Sequence, residues 1–392
     1  MSLRLFLPLY TALWALGLPL ALAYLWWRGR RDPGYRTHLG ERFGRYKLRM
    51  DGAIWVHAVS LGEVRSAMPI LRALLDRGEQ VVITHLTPAG RQETARVLAT
   101  DIAAGRAAAV WLPFEFAWAY RRFFACFLPR AGLVMEVEHW PRMILSAHAA
   151  GVPLFPCNAQ YPAASFERDR RHRRWRFDLM ARYAGAFVKS DLQASRFRAT
   201  GLSGVVVTGE TRFDQPIPPA QVAAGLGARV LAGGRKVVLI ASAVEGEDDT
   251  YLAAIAELGP EPPLIVYVPR RPERFDEVAA TLAAAGLRIL RRTSLGPDFA
   301  VPQGACPDVF VGDSTGEMVA YLAMADRVVV GGGFTQRGAH NIIEALAMGK
   351  TVVTGPVTWP IEYPFQEAKA AGLAQSVPDA EGLAAALRAP AR

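Results

Sequence analysis

Ile54-Trp55-Val56-His57-Ala58-Val59-Ser60-Leu61-Gly62-Glu63 is the stretch whose reading decides the fold. Its apolar first half, residues 54–58, reads as a buried strand. The spacing that follows, Val64, Met68, Ile70-Leu71 and Leu74-Leu75, is that of a helix. Ligands of parallel α/β sheets bind at the carboxyl edge, where strands turn into helices. Glu63 falls on such a turn. A helix N-terminus favours its ionised form, so Glu63 is placed to act as a base. The alternative is a carboxylate that only caps its helix.

The chain has 392 residues, 51% of them hydrophobic, and a formal charge of +9. That length accommodates an anchor and two domains of ordinary size. The positive charge suggests anionic partners: a membrane surface, nucleic acid or a phosphorylated substrate. There is no zinc-ligand spacing and no aromatic RNA-binding pattern, so no nucleic-acid partner is expected. Cys126, Cys157 and Cys306 are too few and too scattered for a disulfide framework and fit a reducing compartment.

No charged residue occurs in 5–27, a run long enough at about 1.5 Å per residue to cross a bilayer core of roughly 30 Å. Trp26-Trp27 stand where an interfacial aromatic belt would lie. Arg28, Arg30 and Arg31 outweigh Arg4, which predicts an inner-membrane anchor over 1–27 with the bulk of the chain in the cytoplasm. A cleaved signal peptide ending at Ala21-Leu22-Ala23 is the competing reading. A monotopic helix lying in the interface is another.

Beyond the anchor, residues 36–44 read as a basic linker. Short apolar runs then alternate with helical patterns. Strands are predicted at 54–58, 81–86, 109–112, 133–137, 152–157, 186–189 and 205–208, then at 237–241, 264–268, 309–312, 328–330 and 351–354. Alternation of this kind gives parallel α/β layers. Pro216, Pro218 and Pro219 mark a break. The fold class expected is α/β, with two doubly wound Rossmann-like domains, 28–212 and 213–375, and a cleft between them. A terminal helix, 376–392, packs back across the junction.

Several segments could carry chemistry. Glu136-Val137-Glu138-His139-Trp140-Pro141 ends a predicted strand and carries two carboxylates two residues apart. Pro269-Arg270-Arg271-Pro272-Glu273-Arg274 follows another strand, and arginine there can grip a phosphate in bidentate fashion. Gly312-Asp313-Ser314-Thr315-Gly316-Glu317 opens a helix whose N–H groups could receive a phosphate. Gly331-Gly332-Gly333 permits close approach of a ligand to the backbone. Glu344, in the segment His340-Asn341-Ile342-Ile343-Glu344, could hold ribose hydroxyls. Together these line one sheet edge as a nucleotide-sugar site. Glu247-Asp248-Asp249 reads as an acidic first helical turn rather than a cation site. Arg168 to Arg176, the densest basic run, reads as a solvated helix face or as a surface for acidic lipids.

In order and spacing, these segments resemble the membrane-anchored Kdo (3-deoxy-D-manno-octulosonic acid) transferases of Gram-negative bacteria, from the anchor to about residue 370. The matching pieces include Gly40-Glu41-Arg42-Phe43-Gly44, Ser60-Leu61-Gly62-Glu63, Thr87-Pro88-Ala89-Gly90, Glu136 to Pro141, Gly209-Glu210-Thr211-Arg212-Phe213-Asp214 and the nucleotide segments above. The resemblance implies a GT-B fold and an inverting transfer of Kdo from CMP-Kdo to a lipid A precursor, with no metal and no cofactor. It also implies contact with inner-membrane lipids. By position, Glu63 matches the base, Glu136 the first glutamate of E-x-E-x-W-P, and Arg212 a position usually held by lysine; these three are the candidate catalytic residues. Pro269, Arg270, Thr315, Gly316, Glu317, Asn341, Ile342, Ile343 and Glu344 match the CMP-binding segments. Val137 and His139 replace the family's Thr and Leu, and Gln160 stands where N-A-R-L-S has arginine. These departures leave other readings open: a related transferase with a different acceptor or acidic sugar, a GT-B sugar-nucleotide epimerase, or an inactive membrane-tethered binding protein.

Overall fold

The computed structural model describes residues 3–136, 138–296 and 299–389. Val137, the ends of the expected anchor (Met1 and Ser2) and residues 390–392 of the expected terminal helix lie outside the described residues. The chain divides into two compact units, Met1–Gln215 and Pro216–Arg392.

The sheet of the first unit contains β1 (Ile54–His57), β2 (Val81–His85), β3 (Ala107–Trp111), β4 (Ala131–Met135) and β5 (Leu154–Cys157). All are parallel, in the order β3-β2-β1-β4-β5. The pleat sends successive residues to opposite faces. Trp55 therefore packs with Val82, Phe123 and Phe127 on one side. Val56 packs with Val64, Leu71 and Ile83 on the other. Both faces are covered, which is why these strands are nearly all apolar rather than alternating, with His57, Thr84 and His85 buried among the apolar residues. The indole N–H of fully buried Trp55 donates to the Thr84 hydroxyl, 2.8 Å away. Two further short strands, β6 (Ala186–Val188) and β7 (Val205–Val207), pair in parallel beside this sheet.

The second unit is built on β8 (Val237–Ala243), β9 (Leu264–Pro269), β10 (Ile289–Arg291), β11 (Val309–Val311), β12 (Arg327–Val330), β13 (Val352–Thr354) and β14 (Ala374–Ser376). Their order is β10-β11-β9-β8-β12-β13-β14, again all parallel. β10 and β14, absent from the sequence reading, are the two edge strands. Three residues each and only partly buried, they lack a long apolar run. The terminal helix Ala380–Arg388 buries Leu383 and Leu387 with Tyr251 and Ala254 of the helix Asp248–Ala256, within the second unit.

The N-terminal helix Leu3–Arg28 is apolar and long enough to cross a membrane. One face is docked lengthwise on the first unit: Phe6 stacks on Trp175 at 3.8 Å, Trp14 meets Phe114 at 5.9 Å and Phe116 at 6.3 Å, and Leu25 is buried. The other face exposes Leu5, Leu9, Leu13, Leu16 and Leu20. The linker expected at 36–44 is instead two 3-10 turns, Pro33–Arg36 and Leu39–Phe43. Glu41 and Arg42 are buried there. Glu41 accepts from Arg91 (2.8 and 3.2 Å) and from the Trp111 N–H (2.9 Å), and the Arg42 guanidinium lies 4.3 Å over the Trp111 ring. The segment's one acid, Glu41, is paired with an arginine distant along the chain, which ties the segment into the first unit.

Candidate active site

In the first sheet, strand order reverses between β1 and β4, and such a switch point opens a crevice at the carboxyl ends of the strands. Glu63 is in the first turn of the helix Leu61–Asp76, directly after β1. Glu136 is the residue after β4, and Asn158 the residue after β5. Glu136 and Asn158 both take the left-handed conformation, φ 58° and 54°. For a non-glycine residue that conformation is uphill by about 1 kcal/mol or more and persists where surroundings enforce it. Here the Glu136 N–H donates to the Cys157 carbonyl at 2.8 Å.

Glu63 does cap its helix. One carboxylate oxygen accepts from the Val59 N–H at 2.8 Å and the other from the Ser60 hydroxyl at 3.1 Å, while Ser60 Oγ accepts from the Glu63 N–H at 3.4 Å. These bonds fix the carboxylate at the switch point, so capping does not exclude a chemical role. Burial raises the Glu63 pKa above the ordinary carboxylate value; the Val59 N–H opposes this, and the neighbouring charge of Glu136 adds to it. Glu138 is pushed up to about 7, by burial first and then by the charge of Glu63. The structure therefore gathers Glu63, Glu136 and Glu138 into one electrostatic group.

Arg212 lies in the short 3-10 turn Thr211–Asp214, whose Thr211 N–H donates to Asn158 Oδ1 at 3.1 Å. Gln215, next along, donates to the Arg65 carbonyl at 2.9 Å. Asn158 and the helix carrying Glu63 thus bring Arg212 to the same edge as Glu63 and Glu136. Arg212 donates to buried Glu210 at 2.9 Å. Lys189, also buried, pairs with the same carboxylate at 3.0 Å and donates to Gln160 Oε1 at 3.4 Å. Sequence reasoning passed over Lys189, a single cation at the end of an apolar run whose partner is distant along the chain.

In the second unit the switch point lies between β8 and β12. Glu247 ties the two strand ends together. Its carboxylate accepts from the N–H groups of Val244 (3.1 Å), Gly332 (2.8 Å) and Phe334 (3.1 Å). Gly332 has φ 92°, and a Cβ there would press on the Gly338 carbonyl, so the loop requires glycine. Only Asp248 and Asp249 of the acidic run act as a first turn; Glu247 is fully buried. Pro269 is buried at the end of β9, and Arg270 beyond it is exposed. Arg270 stands close enough to His340 for its charge, after burial, to lower the His340 pKa.

Thr315 and Gly316 are exposed after β11. Glu317 is gripped by Arg292 at 2.8 and 3.0 Å and by the Ser314 hydroxyl, so it shapes this loop from within. Asn341 Oδ1 accepts from the Ile343 N–H at 3.0 Å at the start of the helix Ile343–Ala347, and Glu344 is exposed in that turn. Ile342 and Ile343 are core side chains, leaving their backbone as the part available to a ligand. All of these positions follow strand ends at one sheet edge. Arg274, by contrast, is buried against Asp248 and Glu277 and is structural. Among the described residues no group of three or more His, Cys, Asp or Glu is arranged to hold a metal ion.

Comparison with known proteins places this geometry in context. Residues 37–215 match the family described as 3-Deoxy-D-manno-octulosonic-acid transferase (kdotransferase). The 3-deoxy-D-manno-octulosonic acid transferase of Bordetella pertussis is 39% identical over 372 residues, covering 92% of this chain and 86% of that protein. The transferase of the same name from Haemophilus influenzae is 28% identical over 360 residues, covering 89% and 82%. In fold the chain is similar to the UDP-GlcNAc 2-epimerase of Neisseria meningitidis (TM-score 0.57, 14% identity, covering 86% of this chain and 90% of that one). It is also similar to a glycosyltransferase from Rickettsia africae (TM-score 0.53, 11% identity, covering 86% and 87%). These structures establish the two-domain GT-B architecture and nothing about substrate. At 39% identity over 92% of this chain, the Bordetella relative shows the family: the chain belongs to the 3-deoxy-D-manno-octulosonic acid transferase family.

Proposed function

We propose that the protein is an inverting glycosyltransferase that moves Kdo from CMP-Kdo to a hydroxyl of a lipid A precursor in lipopolysaccharide biosynthesis. The observation that carries the reading is Glu63, a carboxylate with a raised pKa fixed at the switch point beside Glu136. A base is most effective when its pKa lies near the working pH. Glu63 removes the proton of the acceptor hydroxyl as that oxygen attacks the anomeric carbon of Kdo. The bond from that carbon to the phosphate oxygen breaks, and CMP departs with the electron pair.

The negative charge that develops on the leaving phosphate is met by fixed positive groups. Arg270 and the backbone N–H groups of Thr315, Gly316, Asn341, Ile342 and Glu344 serve this purpose in the second unit. Arg212, held by Glu210, meets the donor's phosphate or carboxylate with two parallel hydrogen bonds. Glu136 orients the reacting groups. The N-terminal helix anchors the enzyme at the cytoplasmic side of the inner membrane through its leucine face, with Arg28, Arg30 and Arg31 toward acidic headgroups. Its lengthwise docking favours insertion by one face over a free crossing. The test is to incubate the protein with CMP-Kdo and a tetra-acylated, bisphosphorylated disaccharide and weigh the lipid products. An acceptor whose mass is unchanged would reject the reading.

A further inference from the structure

Glu115 is a buried carboxylate outside every strand and helix. It accepts four hydrogen bonds: from the hydroxyls of Tyr120 (2.9 Å) and Tyr10 (3.1 Å), and from the backbone N–H groups of Arg142 (2.7 Å) and Met143 (3.2 Å). Those last two residues are the second and third of the helix Pro141–Ala149. Its N-cap residue, Trp140, offers no side-chain acceptor. The first N–H groups of a helix need outside partners, and Glu115 supplies them from a distant part of the chain.

That first turn is the far end of the loop beginning at Glu136, with Glu138 between. Three residues on one turn of the N-terminal helix converge there. Tyr10 reaches Glu115, Thr11 Oγ1 receives the Arg142 guanidinium, and the Trp14 ring meets Trp140 edge-on at 6.5 Å. From the other side, the Tyr183 hydroxyl donates to the Glu138 carbonyl at 3.0 Å.

We propose that the N-terminal helix is a working part of the catalytic centre as well as an anchor. Through Tyr10 and Glu115 it fixes the start of the helix Pro141–Ala149, and with it the loop that carries Glu136 and Glu138. Tyr10 and Glu115 are positioning residues, and the inference rests on the role proposed above for Glu136. A pure tether would affect only how much enzyme meets a membrane-bound acceptor. A positioning helix affects turnover even where tethering is irrelevant.

The experiment uses the full chain in detergent micelles with dispersed acceptor, comparing wild type with Tyr10→Phe, Glu115→Gln and, on the exposed leucine face, Leu9→Ala. Tyr10→Phe is expected to lower kcat roughly fivefold, the worth of one hydrogen bond, with KM for CMP-Kdo unchanged. The amides of Arg142 and Met143 should exchange faster with solvent. Leu9→Ala should weaken vesicle binding and leave kcat in micelles unaltered. Wild-type kcat and wild-type amide exchange in both Tyr10→Phe and Glu115→Gln would overturn the proposal. So would a loss traced wholly to unfolded protein, with turnover per folded molecule intact. If the wild-type chain transfers no sugar from CMP-Kdo, the proposed reaction is at fault, and the exchange rates then decide the positioning question alone.

Discussion

Lys189 and Glu210 form an ion pair sealed from solvent, Nζ to carboxylate 3.0 Å, and Arg212 shares the same carboxylate from its more exposed side. Two cations on one anion leave a net positive charge at a strand end, suited to an anionic ligand. Lys189 also touches Gln160, the position where the resemblance leads one to expect arginine. A lysine from the neighbouring strand end thus supplies a cation beside a position that lacks one.

Lys189→Met should lower stability by about 2–3 kcal/mol, less than the 3–5 of a wholly uncompensated buried charge, because Arg212 remains. The pH dependence has a definite sign. Burial opposes the Glu210 charge, but Arg212 and Lys189 outweigh it and hold the pKa down to about 2. A depressed carboxylate pKa contributes stability above the unfolded value, and that contribution is lost as pH falls toward the folded value. The stability gap between wild type and Glu210→Gln should therefore be widest above about pH 4.5 and shrink toward pH 2. Chemical denaturation across that range measures it; a gap independent of pH would contradict the pairing.

Glu63→Gln keeps the shape and removes the proposed base. Transfer should fall by about 10²–10⁴, the usual worth of general-base catalysis. CMP binding, measured by titration calorimetry, should survive because the proposed nucleotide segments belong to the second unit. Near-normal single-turnover rates would reject Glu63 as the base.

The acid limb of the kcat profile should lie above the ordinary carboxylate range, since burial and then the Glu136 charge raise the Glu63 pKa. Glu136→Gln removes that neighbouring negative charge. The limb should then move to lower pH, whatever happens to the maximal rate. A shift to higher pH, or none, would show that another group controls the limb.

Glu247→Ala leaves the N–H groups of Val244, Gly332 and Phe334 without their acceptor. At about 1–3 kcal/mol for each unsatisfied buried group, the loss should reach at least about 3 kcal/mol. CMP affinity should weaken roughly tenfold through distortion of the glycine loop, about 1.4 kcal/mol. Thermal melts and nucleotide titration of the same preparation test both; an unchanged melt would mean that the loop holds itself.

The central strands were legible because parallel sheets buried on both faces need near-continuous apolar runs, and 264–268 and 54–58, interrupted only by His57, are such runs. The edge strands Ile289–Arg291 and Ala374–Ser376 were not, being short and half-exposed. At the candidate site, Glu63 and Glu136 could be placed at the sheet edge because each closely follows a readable strand. Glu115, Lys189 and Glu247 could not, since their partners are set by topology rather than by local spacing: Glu115 meets Arg142 27 residues away, and Glu247 meets Gly332 85 away. Residues 36–44 misled for the same reason, with Glu41 answered by Arg91 50 positions on.

The docking of Tyr10 on Glu115 also orders events during synthesis. The two residues are 105 positions apart. At about 5–20 residues per second, the ribosome needs roughly 5–20 seconds to make Glu115 after Tyr10 has been built. Through that interval the aromatic face of the helix has no protein partner. If the helix anchors the enzyme as proposed above, the nascent chain meets the bilayer before its own first domain, and that domain then assembles against a helix already lodged in the membrane.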